Sequence, residues 1–143
     1  STRIILVPSK GSGTVDILAK EKLCPVVAIL PYKTFQDAVN HAKANLLVEG
    51  AGHSAAVHSN NEDNIRLAGV QLPISRLVVN QPSSLTAGGS LTNGFAPTTT
   101  LGCGSWGGNS ISENLDYKHL MNVSRIGKVI THKKVPTDAE IWG

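Results

Sequence analysis

The chain has 143 residues, of which 41% are apolar and 16% are charged, a size and composition that suit one compact domain. No run approaches the ~20 consecutive apolar residues of a membrane helix, and Cys24 and Cys103 lack the spacing of a disulfide scaffold or a metal site. The net charge of +3 is dispersed and aromatic residues make up 4%, so we expect neither a nucleic-acid partner nor a membrane partner.

The first part of the chain alternates short apolar runs with an amphipathic stretch. Arg3–Val7 is a first candidate strand, and Pro25–Leu30 is a β-branched apolar run typical of a strand buried on both faces. Thr34 and Asp37 form a capping-box pattern. The apolar spacing after them predicts a helix that ends near Asn45.

A second strand, helix and strand follow the same plan. After a glycine-marked turn, the small residues of His53–His58 predict another buried strand. Ser59 and Glu62 form a capping-box pattern for a helix that stops before Pro73. Arg76–Asn80 then completes a β-α-β-α-β order. Right-handed crossovers would place these three strands side by side and parallel, with the helices packed on the sheet.

The remainder of the chain is less regular. Gln81–Asn114 contains seven glycines and no sustained period, which is typical of a functional loop or of one packed on another element. Asp116–Asn122 predicts a short helix, Val123–Thr131 predicts a terminal strand, and His132–Gly143 reads as a polar tail with an exposed Trp142. We therefore expect an α/β fold with an incomplete parallel sheet, a long irregular loop, and a terminal helix and strand.

Three segments carry a resemblance to a known family. Lys20–Val26 is similar to the Glu-x-Phe-Gly-Pro-Val motif of aldehyde dehydrogenases, in the Glu-Lys-Leu-x-Pro-Val form of the coenzyme-A-acylating branch. Ala96–Ser110 resembles that branch more specifically, and Gly52–Ser54 resembles its Gly-His-Thr/Ser element. The branch includes succinate-semialdehyde, sulfoacetaldehyde and aldehyde-alcohol dehydrogenases. The resemblance implies that residues 1–131 are a C-terminal portion of the catalytic domain, with residues 132–143 as a tail.

The resemblance also implies roles for individual residues. Glu21 lies where the family has the glutamate that hydrogen-bonds the nicotinamide ribose, and Leu23 lies where other members have a phenylalanine beside the nicotinamide. His53 would lie near the reacting thioester, where a neutral imidazole can accept the proton of the coenzyme A thiol. The glycine-rich loop is expected to pass the substrate tunnel with three residues on its flanks: Pro97, Thr98 and Trp106. Two other interpretations stay open, Glu21 as a solvated loop acid and His53 as a structural histidine that fixes the turn.

The family nucleophile is a cysteine that precedes this segment, so catalysis is expected of the whole enzyme and not of this chain alone. That enzyme would convert a small aldehyde, coenzyme A and NAD or NADP reversibly to an acyl-CoA. The partners expected are the remainder of the same enzyme and further copies of it, with Val123–Thr131 joining sheets between subunits. We expect a cytoplasmic enzyme, with a bacterial microcompartment as the alternative location.

Two other classes of function stay open. The partial sheet could serve a non-catalytic binding or assembly module, and Cys103 with His53 could form a small cysteine hydrolase, although no third orienting group is apparent. A further motif, G-x-G-x-x-G at Gly102, Gly104 and Gly107, resembles a dinucleotide-binding fingerprint. The polar stretch behind it does not predict the long helix that such a fingerprint requires.

Overall fold

The fold is described here from a computed structural model for residues 3–143, which contain four short strands and four α-helices. The strands are β1 (Ile5–Pro8), β2 (Val26–Ile29), β3 (Gly52–Val57) and β4 (Ile74–Val79). The helices are α1 (Phe35–Val48), α2 (Glu62–Gln71), α3 (Ser83–Thr86) and α4 (Asp138–Trp142). Single 3₁₀ turns lie at Gly13–Val15, Ile17–Ala19, Ser105–Gly107 and Tyr117–Leu120.

The strands form two separate parallel pairs. β1 pairs with β2, and β3 pairs with β4 with Ala55 opposite Leu77. The predicted α/β class and the parallel pairing of β3 with β4 are confirmed, whereas the prediction that β2 lies directly beside β3 is wrong. The β2 backbone bonds to β1 instead, beginning with a 2.8 Å hydrogen bond from the Ile5 amide to the Pro25 carbonyl. Sequential strands are neighbours only about two-thirds of the time, so chain order alone does not decide this pairing.

Helix α1 starts at the capping box that its sequence predicts. The Thr34 hydroxyl accepts a hydrogen bond from the Asp37 amide at 3.2 Å, and the Asp37 carboxylate accepts one from the Thr34 amide at 2.9 Å. These hydrogen bonds to Thr34 lower the pKa of Asp37 below its usual value. The helix continues to Val48, one turn beyond the predicted end at Asn45.

Replacement of Thr34 by alanine is expected to destabilise the first turn of α1 by about 1 kcal/mol, because an amide at the helix start loses its acceptor. Amide hydrogen exchange in that turn should become roughly fivefold faster. Thr14→Ala is the matched control, since Thr14 is exposed and its side chain makes no hydrogen bond to another residue of 3–143. Equal exchange rates in Thr34→Ala and Thr14→Ala would show that the cap contributes nothing to α1.

Helix α2 begins with a different cap from the one predicted. The Asn61 side chain accepts hydrogen bonds from the amides of Asp63 at 2.9 Å and Asn64 at 3.3 Å. Ser59 instead accepts a hydrogen bond from the Asn61 amide, so the predicted Ser59 and Glu62 capping box is wrong. Asparagine is as strong an N-cap as serine, and its position next to the helix gives it the shorter reach.

The core lies between α1, α2 and one face of the β3–β4 pair. Val39 and Ala68 are each 3% exposed and pack with Leu72 and Ile74. Leu77 also packs against this cluster, whereas its neighbour Arg76 bonds to the loop instead. The opposite face of β4 is covered by the loop from residue 81 to residue 114, which bonds to Arg76.

The β1–β2 pair is far less covered than the sequence predicts. Leu6 is 62% exposed, and Val27 and Ile29 are 48% and 44% exposed, so the prediction that this strand is buried on both faces is wrong within residues 3–143. An apolar parallel strand is stable when layers pack on both its faces. Among the described residues, the helices and the loop cover β3 and β4, whereas β1 and β2 stay largely exposed.

The irregular loop folds back on itself through backbone hydrogen bonds. The Gly102 amide donates to the Glu113 carbonyl at 3.0 Å, and the Leu115 amide donates to the Thr100 carbonyl at 3.0 Å. The 3₁₀ turn Ser105–Gly107 lies within the G-x-G-x-x-G pattern, and the described residues directly after the pattern form no α-helix, as the sequence predicts. The loop is therefore an ordered flap on β3 and β4.

The C-terminal elements differ most from the prediction. The predicted helix from Asp116 to Asn122 is a single 3₁₀ turn. Val123–Thr131 pairs with no strand among the described residues, and its pairing with another subunit stays a prediction. Ile126 and Val129 in that segment are 89% and 88% exposed. The tail forms the short helix α4, with Trp142 exposed as predicted.

Across residues 3–143, none of the helices has both the length and the apolar character needed to cross a membrane.

Candidate functional site

An open cleft of about 520 Å³ separates the Lys20–Lys22 segment from the start of β3. Glu21, His53 and Ser54 all line the cleft. The C-terminal end of α1 supplies the floor, through Asn45, Leu46 and Glu49. Two residues that the sequence singles out 32 positions apart therefore share one cavity.

Hydrogen bonds to the main chain hold the Glu21 wall in place. The Glu21 amide donates to the Glu49 carboxylate at 2.8 Å, and the Lys22 ammonium donates to the carbonyls of Leu18 at 2.5 Å and Lys20 at 2.8 Å. The exposed Glu21 carboxylate makes no hydrogen bond or ion pair with another residue of 3–143. Both carboxylate oxygens can therefore accept hydrogen bonds from a ligand in the cleft.

His53 lies between this cleft and a second cavity. Its ring Nδ1 lies 2.8 Å from the Ser54 hydroxyl, and its amide donates to the Gly50 carbonyl at 3.1 Å. The second cavity, of about 370 Å³, is lined by His53 and by hydroxyl side chains from α3 and from the loop: Ser83, Ser84, Thr98 and Thr99. The exposed His53 thus borders both cavities.

Of the other four predicted site residues, one lines the second cavity and three lie outside the lining of both cavities. Thr98 lines the second cavity, and its hydroxyl donates to the Thr100 carbonyl at 3.2 Å. Pro97 is exposed and lies against Gly89, outside the lining of both cavities. Trp106 is 55% exposed in the 3₁₀ turn beside β3, and Leu23 is 94% exposed. Of the four, only Thr98 shares a cavity with His53 among the described residues.

Arg76 is a buried residue behind the site that the sequence reasoning did not single out. Its side chain is 3% exposed, and its Nη2 donates to the His53 carbonyl at 3.2 Å and to the Gly102 carbonyl at 2.7 Å. Its Nη1 donates to the Asn114 side chain at 3.2 Å. Burial lowers the pKa of Arg76, an effect that nearby Cys103 partly offsets. A lone arginine inside a run of β-branched residues is the signal that could have identified it.

The two cysteines are not arranged for nucleophilic catalysis with His53. Cys24 is exposed, and the Cys103 thiol lies 4.0 Å from the Leu101 carbonyl. No hydrogen bond joins Cys103 to His53 in the part of the chain that the structure describes, where the imidazole instead lies against Ser54. Residues 3–143 also bring together no group of three His, Cys, Asp or Glu side chains that could hold a metal ion.

Comparison with known proteins links this arrangement to acylating aldehyde dehydrogenases. The chain is 63% identical over 142 residues to the succinate-semialdehyde dehydrogenase (acetylating) of Clostridium kluyveri, a match that covers 99% of the chain and 31% of the relative. It is 35% identical over 140 residues to the sulfoacetaldehyde dehydrogenase (acylating) of Cupriavidus necator, covering 98% of the chain and 28% of that relative. No protein-family model matches the chain. The chain thus spans about a third of the length of these relatives.

The solved structures give the same result for the fold. A probable aldehyde dehydrogenase from Listeria monocytogenes matches with a TM-score of 0.82 and 34% identity, over 98% of this chain and 30% of that one. An acetylating aldehyde dehydrogenase from Geobacillus thermoglucosidasius matches with a TM-score of 0.81 and 29% identity, over 94% of this chain and 29% of that one. The chain is therefore homologous to a segment of the acylating aldehyde dehydrogenases, which confirms the resemblance in its sequence motifs.

Proposed function

We propose that this chain forms one wall of the active site of a coenzyme-A-acylating aldehyde dehydrogenase whose nucleophilic cysteine lies outside it. The shared cleft of Glu21 and His53 is the observation that carries the proposal, because it brings an acceptor for a ribose diol and a proton acceptor into one cavity. The homology to enzymes named for acylating chemistry supports it. A non-catalytic assembly module would need neither group in one cavity.

The two halves of the reaction, hydride transfer and acyl transfer, would use different residues of the cleft. When bound, NAD or NADP would supply the hydride acceptor for the substrate carbon after the upstream cysteine thiolate has added to the aldehyde. The Glu21 carboxylate would accept hydrogen bonds from the nicotinamide ribose. Its segment is held by the Glu21 amide, which donates to the Glu49 carboxylate, and by the Lys22 ammonium, which donates to the Leu18 carbonyl. Exposed Leu23 would contact the ring face. The size of the cleft and the unpaired carboxylate both fit this role.

Acyl transfer to coenzyme A, the second half of the reaction, would use His53. The acyl group, held as a thioester on the upstream cysteine, would be transferred to the coenzyme A thiol instead of to water. His53 would accept the thiol proton as the sulfur attacks the acyl carbon, with Ser54 orienting its ring. Thr98 would line the substrate passage, with Pro97 and Trp106 on its rim.

We also propose that the intact enzyme is a cytoplasmic homo-oligomer. Apolar side chains in Val123–Thr131 are largely exposed, and this segment has no strand partner within residues 3–143. Pairing with another subunit would supply its missing hydrogen bonds and cover its apolar groups.

Substitution of Glu21 by glutamine in the intact enzyme tests the ribose role. The amide keeps the shape of the carboxylate but loses charge-assisted hydrogen bonds, so the hydride step should slow by roughly 10- to 100-fold. The early burst of NADH in rapid mixing measures this step, with succinate semialdehyde as the substrate named for the relative.

Glu62→Gln provides the matched control, since Glu62 is an exposed acid on α2, outside the lining of the cleft. That variant should keep the burst rate of the unmodified enzyme. A Glu21→Gln enzyme with an unchanged burst and unchanged affinity for the dinucleotide would identify Glu21 as a solvated loop acid.

A further inference from the structure

The face of β4 under the loop holds a buried cation with no carboxylate partner. Arg76 is 3% exposed, and the ion pairs found among residues 3–143 all involve other side chains. Its acceptors are neutral: two backbone carbonyls and the Asn114 amide oxygen. A buried charge carries a large desolvation cost, and apolar side chains would fill the same space without that cost. Stability alone therefore does not explain a buried arginine here, and its hydrogen bonds are what an apolar side chain could not provide.

These hydrogen bonds join segments that are far apart in the sequence. Nη2 alone bridges the His53 carbonyl at the start of β3 and the Gly102 carbonyl in the loop. Asn114 extends the connection, because its Nδ2 donates to the carbonyls of Ala87 at 3.0 Å and Ala96 at 2.8 Å. Arg76 and its side-chain partner Asn114 thus link β3 to several separate points of the loop.

Residues at or next to these hydrogen bonds line the second cavity. His53, Ala87 and Leu101, which precedes Gly102, all line it, and Arg76 lies behind them without lining it. The His53 carbonyl and its imidazole belong to one residue, so fixing the carbonyl restricts where the ring can lie. The same guanidinium bonds to the carbonyl of Gly102, whose neighbour Leu101 lines this cavity.

We propose that Arg76 is a positioning residue for acyl transfer, which sets the distance between His53 and the glycine-rich loop across the second cavity. This inference rests on the proposed role of His53 as the acceptor of the thiol proton. A misplacement of about 1 Å at a reacting group can cost ~100-fold in rate, so a residue that never touches substrate can control the step.

Arginine suits this position better than lysine. The planar guanidinium presents five N–H donors in fixed directions, whereas an ammonium is a single point that cannot reach three separated acceptors at once. Arg76→Lys in the intact enzyme keeps the positive charge but loses the hydrogen bonds that join the carbonyls of His53 and Gly102. We expect acyl transfer to coenzyme A to slow by about tenfold or more, with the NADH burst changed by less than about twofold. Equal slowing of both steps would indicate general loosening and overturn the proposal.

Ser75→Ala is the matched control. Ser75 neighbours Arg76 on β4, and its buried hydroxyl has no hydrogen-bond partner among residues 3–143, so its removal should leave both rates unchanged. Should Arg76→Lys fail to fold, Arg76→Gln replaces it, because a neutral amide keeps two donors without the desolvation cost of a charge. The same selective loss of acyl transfer is expected from Arg76→Gln, and a normal rate would refute the proposal.

A double-mutant cycle tests whether Arg76 acts through His53. In a His53→Ala background, Arg76→Lys should slow acyl transfer little further, because the group that it positions is already gone. Equal slowing by Arg76→Lys in both backgrounds would show that the two residues act independently and would reject the inference.

A chemical readout separates this inference from the proposed function. Diethylpyrocarbonate modifies exposed imidazoles, and mass spectrometry of peptides gives the rate at His53 relative to His58 at the other end of the strand. Arg76→Lys should change this ratio. If His53→Ala leaves acyl transfer unchanged, the proposed function of His53 fails, and the ratio still decides whether Arg76 positions the ring. An unchanged ratio would overturn the positioning role.

Discussion

Replacement of His53 by alanine in the intact enzyme is expected to slow acyl transfer to coenzyme A by ~100-fold to ~10,000-fold, the range typical for loss of a general base. The first burst of NADH should remain largely unchanged, since hydride transfer precedes the attack of the thiol. Rapid mixing of enzyme, aldehyde and NAD, followed by addition of coenzyme A, measures the two steps separately.

Two further substitutions make this result specific. His58→Ala removes another exposed histidine from the opposite end of the same strand and should leave both steps unchanged. His53→Gln retains a polar side chain that can bond to Ser54 but cannot accept a proton, so it should be as slow as His53→Ala. Recovery of acyl transfer in His53→Gln would assign His53 a structural role in fixing the turn.

Substitution of Gly52 by alanine is expected to displace the glycine-rich loop and to destabilise the protein by about 3 kcal/mol or more. Gly52 has a φ of +84°, and an added Cβ would lie 2.0 Å from the Cys103 carbonyl oxygen. Strain and overlap act together here, and neither can be relieved by rotation of a side chain. Because His53 is the next residue, acyl transfer should be lost with the loop contact.

Thermal unfolding and the acyl-transfer rate measure these two effects. Gly94→Ala is the matched control, since Gly94 lies in the same loop and an added Cβ would meet no atom within 4 Å. That change should alter stability by less than about 1 kcal/mol, through the unfolded chain. If Gly52→Ala unfolds at the same temperature as Gly94→Ala, the close contact between β3 and the loop does not contribute to stability.

The elements whose signals are local agree best with their sequence predictions. The Thr34 and Asp37 pattern predicts the start of α1 because a capping box is formed by residues three positions apart. The same kind of pattern, Thr137 followed by Glu140, begins α4 within the segment predicted as a polar tail. In α2, the predicted cap Ser59 lies two residues before Asn61, which caps the helix in the structure.

The candidate site was predictable only where a motif carried it. The sequence pointed to Glu21 and His53 through short segments that resemble one enzyme family, and the structure places both on one cleft. Arg76 carried no such motif. Its role depends on the carbonyls of His53 and Gly102, which come together only when the loop folds over β4.

The sequence by itself determined the strand and helix order as far as β4, the start of α1 and the family resemblance, because these depend on residues close together in the chain. Only the tertiary structure decided which strands pair and what the loop covers. β2 bonds to β1 and not to β3, and Val123–Thr131 finds no partner within residues 3–143. Hydrogen bonds between distant segments are satisfied by whichever backbone groups the fold brings within reach, and local periodicity carries no information about that choice.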